Sequence, residues 1–73
     1  MTETINAEMS ANLWKILVSP GDQIEADAPL MILESMKMEI PVLADDDGTV
    51  VAVHVAEGAT VGAGDPLLDL EID

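Results

Sequence analysis

The sequence predicts an all-β domain, a small sandwich or barrel with internal pseudo-twofold symmetry. Three observations predict it. Turn signals recur roughly every 8–12 residues, the spacing of a sandwich or barrel. No stretch between chain-breaking residues holds a helical apolar period, so helix content is expected to be close to nil. A shift of 37 residues lays the second half of the chain on the first without a gap. Under that shift Ala7 falls on Ala44, Val18 on Val55, Gly21 on Gly58 and Ala26 on Ala63, while Pro29, Leu30, Leu33 and Glu34 fall on Pro66, Leu67, Leu70 and Glu71. Apolar pairs fill the gaps: Ile5 with Val42, Leu13 with Val50, Ile16 with Val53, and Ile24 with Val61. Two copies are too few for a solenoid, so the repeat points to one domain made of half-repeats 5–34 and 42–71.

Taken in order, residues 1–4 read as a flexible tail before a single domain over 5–73. Leu13–Val18 is rich in β-formers and stops at Ser19-Pro20-Gly21-Asp22, where Pro then Gly at the central positions suits a type II turn. Ala26–Pro29 breaks the chain again before the apolar run Leu30–Leu33. Ile40–Leu43 returns from a tight turn, and Asp45-Asp46-Asp47-Gly48 reads as a solvated turn. Val50–Val55 is the next strand, Ala56–Ala59 a turn, Gly62–Pro66 a break, and Leu67–Ile72 the closing strand. The repeat also makes the turn near Lys37 equivalent to the place where the termini meet, which puts the termini at the opposite pole.

Composition narrows the function. Fifteen acids against two bases give a net charge of −13, which excludes phosphate-backbone binding as a main role. A hydrophobic content of 49% separates the chain from acidic disordered segments. The acidic surface keeps the domain soluble. With no Cys and a single His, neither a disulfide nor a zinc site is available to staple a chain this short. The N-terminus lacks the basic and apolar regions of a signal peptide, and no window reaches the roughly 18 apolar residues of a membrane helix. The expectation is a cytoplasmic protein that is monomeric when isolated.

One stretch breaks the local rules. Between Leu30–Leu33 and Ile40–Leu43 stands Glu34-Ser35-Met36-Lys37-Met38-Glu39, a hairpin with Met36 and Lys37 at its tip. Two-residue hairpin turns favour Asn-Gly, Asp-Gly or Gly-containing pairs because their central residues need positive φ. Met-Lys offers two Cβ atoms instead, so the side chains themselves are wanted there. Only two lysines exist in the chain, Lys15 and Lys37. A lone primary amine on a protruding tip is well placed for modification, against the plainer reading of a lysine that blunts a sheet edge.

These residues resemble the acceptor motif of the biotinyl domains, where Met-Lys-Met follows a Glu and the lysine is biotinylated. Related lipoyl domains usually carry Asp before the acceptor lysine, where this chain has Met36. The resemblance spans nearly all of Ile5–Ile72, including Gly21-Asp22 and Gly48, and is greatest to the small free-standing biotin/lipoyl attachment proteins of bacteria. It departs at Ser35 (Ala in the usual pattern), at Ala11 (where symmetry would have Gly) and at Gly58-Ala59 (in place of Gly-Asp). The gapless halves leave no room for the extra thumb loop of some biotinyl domains.

The resemblance implies a flattened barrel of two small antiparallel sheets with the acceptor on an exposed hairpin. It implies a biotin carboxyl carrier: Lys37 holding biotin by an amide bond made by a biotin protein ligase, and passing carboxybiotin from a biotin carboxylase to a carboxyltransferase. Met36, Met38 and Glu34 would be read by the ligase. The chain would then be a carrier and not an enzyme, with no catalytic or metal-binding residues of its own. A lipoyl carrier and an unmodified acidic interaction module are the alternatives.

Other candidates carry less. Asp45-Asp46-Asp47-Gly48 lacks the alternate acids and later Glu of a calcium loop, since Leu43 and His54 occupy two of those places. Gly62-Ala63-Gly64 lacks the third Gly and the helix of a nucleotide fingerprint. His54 is expected to be exposed or at a sheet rim, with Val51, Val53 and Val55 on the other face. Trp14 alternates with Ile16 and Val18, which suits a core position and a surface contact equally. Glu34 and Glu39 should face each other across the hairpin, an unfavourable pair unless exposed or met by a cation.

Overall fold

Short β-forming runs cut by turn residues fold into eight strands in the computed structural model, which describes residues 1–73. They are β1 (Thr2–Asn6), β2 (Ala11–Ile16), β3 (Gln23–Ile24), β4 (Pro29–Ser35), β5 (Met38–Leu43), β6 (Gly48–Val53), β7 (Thr60–Val61) and β8 (Pro66–Ile72). Two four-stranded antiparallel sheets result, ordered β1-β8-β6-β3 and β5-β4-β2-β7. The all-β class holds, as a flattened sandwich whose sheets do not close into a barrel.

The 37-residue offset is visible at every level. It carries β1, β2, β3 and β4 onto β5, β6, β7 and β8, and so exchanges the two sheets. The register shifts obey it as well: the one between Leu13 and Lys15 against β4 matches the one between Val50 and Ala52 against β8. Turn chemistry follows the same rule. Asp22 N donates to Ser19 O at 3.0 Å with Gly21 at φ 96°, and Ala59 N donates to Ala56 O at 3.1 Å with Gly58 at φ 90°. The Pro20-Gly21 turn is therefore the type II turn its residues predict.

The core is the repeat seen from inside. The 14 buried residues fall into seven pairs one offset apart: Ala7 with Ala44, Ala11 with Gly48, Leu13 with Val50, Ile24 with Val61, Leu30 with Leu67, Met31 with Leu68, and Leu33 with Leu70. No charged or polar side chain is buried among them. Each sheet thus contributes an equivalent apolar layer, and burial of its Leu, Ile, Val and Met side chains, at about 1.5–3 kcal/mol each, is the main force holding so small a chain together.

Three expectations change. Residues 2–4, read as part of a flexible tail, belong to β1, which pairs with β8 from Thr2 opposite Glu71 to Asn6 opposite Pro66. Thr2 and Thr4 anchor it through their hydroxyls to Glu71 and Asp69, at 2.7 and 2.8 Å. The strand has one large apolar residue, Ile5, so it shows no apolar run; its ladder and threonine bonds hold it instead. Strands expected at Leu13–Val18 and Val50–Val55 begin and end two residues earlier, because the ladder starts at buried Ala11 and Gly48. The two-residue strands β3 and β7 were too short to leave a period.

Candidate functional site

Lys37 sits on the one hairpin of the fold. Chain-adjacent strands otherwise alternate between sheets, and β4 and β5 are the single consecutive pair that hydrogen-bond to each other. Their register runs Ile32 opposite Pro41, Leu33 opposite Ile40, Glu34 opposite Glu39 and Ser35 opposite Met38, leaving Met36 and Lys37 as a two-residue loop. Leu30, Met31 and Leu33 seat β4 in the core, and β2 pairs along its other edge, so the loop projects from a rigid base.

The loop backbone is costly. Met36 has φ 53° and Lys37 φ 65°, the two positive values that a type I′ turn demands and that side chains with a Cβ resist. Each such residue costs about 1–2 kcal/mol relative to a right-handed conformation. Asn-Gly would remove part of this, so the fold tolerates strain to place these two side chains. Met36 is 91% exposed and Met38 64% exposed. The Lys37 side chain is exposed and takes part in none of the chain's ion pairs, which are Met1 with Glu71 and His54 with Asp69. Glu34 and Glu39 are opposed as expected, and both are exposed, which spares them the cost of a buried like-charge pair. Ser35 is half-buried at the closing pair of the hairpin.

The far end of the molecule carries the termini. The open end of the hairpin, Pro29 opposite Leu43, continues through Ala44–Asp47 to Gly48, which pairs with Ile72. Ile72 N donates to Met1 O at 2.8 Å, so both termini lie there, away from the loop.

The remaining candidates are accounted for structurally. Asp47 Oδ1 accepts from Ala26 N at 2.8 Å, and its carbonyl accepts from Asp73 N at 3.1 Å, so the acidic turn ties two chain segments together. His54 is exposed, just beyond β6, with Nε2 3.0 Å from Asp69 Oδ2. Trp14 is a surface residue, 46% exposed, at the β2 bulge, with Lys15 Nζ 5.5 Å from its ring centroid. A groove of about 380 Å³ between edge strands β1 and β5 is lined by residues such as Ile5, Leu33, Ile40 and Glu8, and none of Met36, Lys37 and Met38 borders it. The arrangement suits a reaction done to Lys37 by another protein: an amine held out on a stiff loop, not a cleft that encloses a substrate.

Known proteins share this plan. Residues 3–70 match the family model described as "Biotin-requiring enzyme". The chain is 52% identical over 67 residues to the biotin/lipoyl attachment protein of Bacillus subtilis, covering 92% of both chains. It is 48% identical over 67 residues to the biotin carboxyl carrier protein of Streptococcus mutans, covering 92% of this chain and 52% of that one. Among solved structures it superposes with a TM-score of 0.94 and 32% identity on a single-chain, multi-domain long-chain acyl-CoA carboxylase, covering 99% of this chain and 7% of that one. With its hairpin, its paired sheets and its sequence all in agreement, the chain belongs to the biotin/lipoyl attachment domain family.

Proposed function

We propose that this chain is a biotin carboxyl carrier whose Lys37 holds biotin through an amide bond. The observation that carries the reading is the loop: two non-glycine residues kept at positive φ so that an unpaired amine projects from the fold's single hairpin. The residues present suit the group, since an amide at Nζ displaces no ion pair of the chain. Bound there, biotin supplies a position that accepts and releases a carboxyl group. The chain's own part is mechanical. Leu30, Met31 and Leu33 fix the base of the hairpin in the core, and Met36 and Met38 give an acylating enzyme two exposed apolar side chains to grip. Glu34 and Glu39 present paired carboxylates on the approach to the lysine. The loop and the termini lie at opposite ends, so the lysine can enter one active site after another with the body of the domain behind it.

The partners that follow are a biotin protein ligase, which makes the amide, and a biotin carboxylase and carboxyltransferase, which load and unload the carrier. Tethering keeps the reacting group at an effective concentration near millimolar for a short link. The protein itself acts as a carrier, in the cytoplasm, as a monomer. Intact mass after expression with biotin, beside a Lys37→Arg control, tests this. One biotinyl group on the wild type and none on the control is the expected result. A lipoyl group would move the function to lipoate-dependent transfer, and no addition with ligase in excess would overturn the carrier reading.

A further inference from the structure

The two sheets carry the same backbone but different outer faces. On the β1-β8-β6-β3 sheet, Thr4 Oγ1 donates to Asp69 Oδ1 at 2.8 Å, and His54 Nε2 lies 3.0 Å from Asp69 Oδ2. That face satisfies its own polar groups. The positions one offset away on the β5-β4-β2-β7 sheet are Pro41, Ile32 and Leu17. A hydrogen-bonded Thr-Asp-His row is thus replaced by an apolar strip. Register confirms its continuity, since Lys15 pairs with Ile32 and Ile32 with Pro41. Leu17 is 48% exposed, and Trp14 stands beside the strip at the bulge, where the other sheet has Val51. Both lysines of the chain, Lys15 and Lys37, belong to this sheet or its hairpin.

Resting on the carrier reading above, we propose that this face, Leu17, Ile32 and Pro41 with Trp14 and Lys15, is the surface on which the biotin protein ligase docks while it acylates Lys37. Two features favour that occupant. The face runs without interruption into the acceptor hairpin, and Ile32 stands three residues before the end of β4 at Ser35, about 10 Å along the strand at the usual rise, where the loop bearing Lys37 begins. One interface of standard size covers both. An enzyme that acylates the amine must bring its reacting carbon to Nζ itself, so it lies against the flanks of the hairpin. Charge argues against a second copy, because each chain carries −13. The complementary surface is an apolar socket with an acid facing Lys15 and basic residues facing Glu34 and Glu39, which lie between the strip and the loop.

The fold supplies its own test variant. Leu17→His, Ile32→Asp and Pro41→Thr together install the polar row of the other sheet on an equivalent backbone, and circular dichroism with thermal melting checks that it folds. Trp14→Thr is a charge-neutral second variant, and Thr4→Val on the opposite face is the control. Biotin incorporation by a bacterial biotin protein ligase is followed by intact mass over a range of carrier concentrations. The triple variant should raise KM about 10-fold and Trp14→Thr about 3-fold, with kcat within about twofold of wild type and the control unchanged, the signature of lost docking. Calorimetric binding of ligase to the non-acylatable Lys37→Arg protein should weaken by the same factors.

An unchanged KM for folded triple and Trp14→Thr variants, with the wild type still biotinylated, overturns the docking face and leaves the carrier reading intact. An equal rise in the Thr4→Val control also overturns it. A wild type that the ligase does not modify removes both proposals. A dimer seen by sedimentation and abolished by the triple variant assigns the face to a second copy instead.

Discussion

Gly48 lies against the carbonyl of Glu71 so closely that a Cβ on it would sit 2.5 Å from that oxygen. The contact is backbone, with no flexible end to move aside. Gly48→Ala should therefore destabilise the fold by about 1–3 kcal/mol, the usual cost of overpacking. Urea denaturation would show it as a lower midpoint at constant slope. The equivalent Ala11 carries its Cβ in a buried site. Ala11→Gly should cost only about 0.5–1 kcal/mol, from chain flexibility. The symmetry is thus strict in backbone and relaxed in packing.

The loop stores strain that can be released. Replacing Met36-Lys37 by Asn-Gly should stabilise the protein by about 1–2 kcal/mol, since both positions have positive φ. The same change should end biotin attachment. A thermal melt and an intact mass on one sample would show stability and modification moving in opposite directions.

Met36→Ala and Met38→Ala address the grip proposed for the acylating enzyme. Both side chains are exposed, so the melting temperature should stay within about 4 °C, in keeping with surface substitutions. Biotin incorporation at low carrier concentration should fall about 10-fold for each, as for residues central to an interface. Normal incorporation in both would remove the methionines from ligase recognition.

Acid should act on the β1-β8 seam. The Thr4 hydroxyl, and next to it His54, hold the Asp69 carboxyl below the usual aspartate range. The terminal ammonium and, after it, the Thr2 hydroxyl do the same for Glu71. A carboxylate with a depressed folded-state pKa contributes stability that is complete above its unfolded value, about 3.9 for Asp, and is lost as pH falls through the folded value. Protonation elsewhere relieves the repulsion of a −13 chain and works the other way, so the informative quantity is a difference. The gap in melting temperature between wild type and Thr4→Val should be full at pH 6 and shrink below about pH 4.

That net charge also predicts a response to salt. Raising sodium chloride from low to physiological strength shortens the screening length to about 8 Å. The melting temperature should rise, because self-repulsion among 15 acids outweighs the few exposed ion pairs that salt weakens.

The hairpin, the repeat and the opposition of Glu34 to Glu39 were legible in the sequence because each is local or periodic. β1 was hidden by its composition, yet shifting Ile40–Leu43 back by one repeat lands on Glu3–Asn6 and would have found it. The Thr4-Asp69-His54 row joins three residues far apart in the chain, and no local pattern announces it. Trp14 is exposed because it is the extra residue of a bulge, and a bulge shifts the alternation from which its facing would be read. Asp47 looked like solvated charge; its bond to Ala26 N depends on where the turn brings the chain back.

The meeting of Met1 and Ile72 has the same place in its sheet as the closing pair Met38 and Ser35 of the hairpin. Twice the repeat length exceeds the chain by a single residue. A cyclised protein with one residue inserted between Asp73 and Met1 would close a second two-residue loop, and a lysine at the inserted position would stand where Lys37 stands in the first. The architecture is therefore that of a two-headed object with one head left open, and a circular permutant cut at its working end and sealed at the other would exchange which half of the sequence bears the cargo.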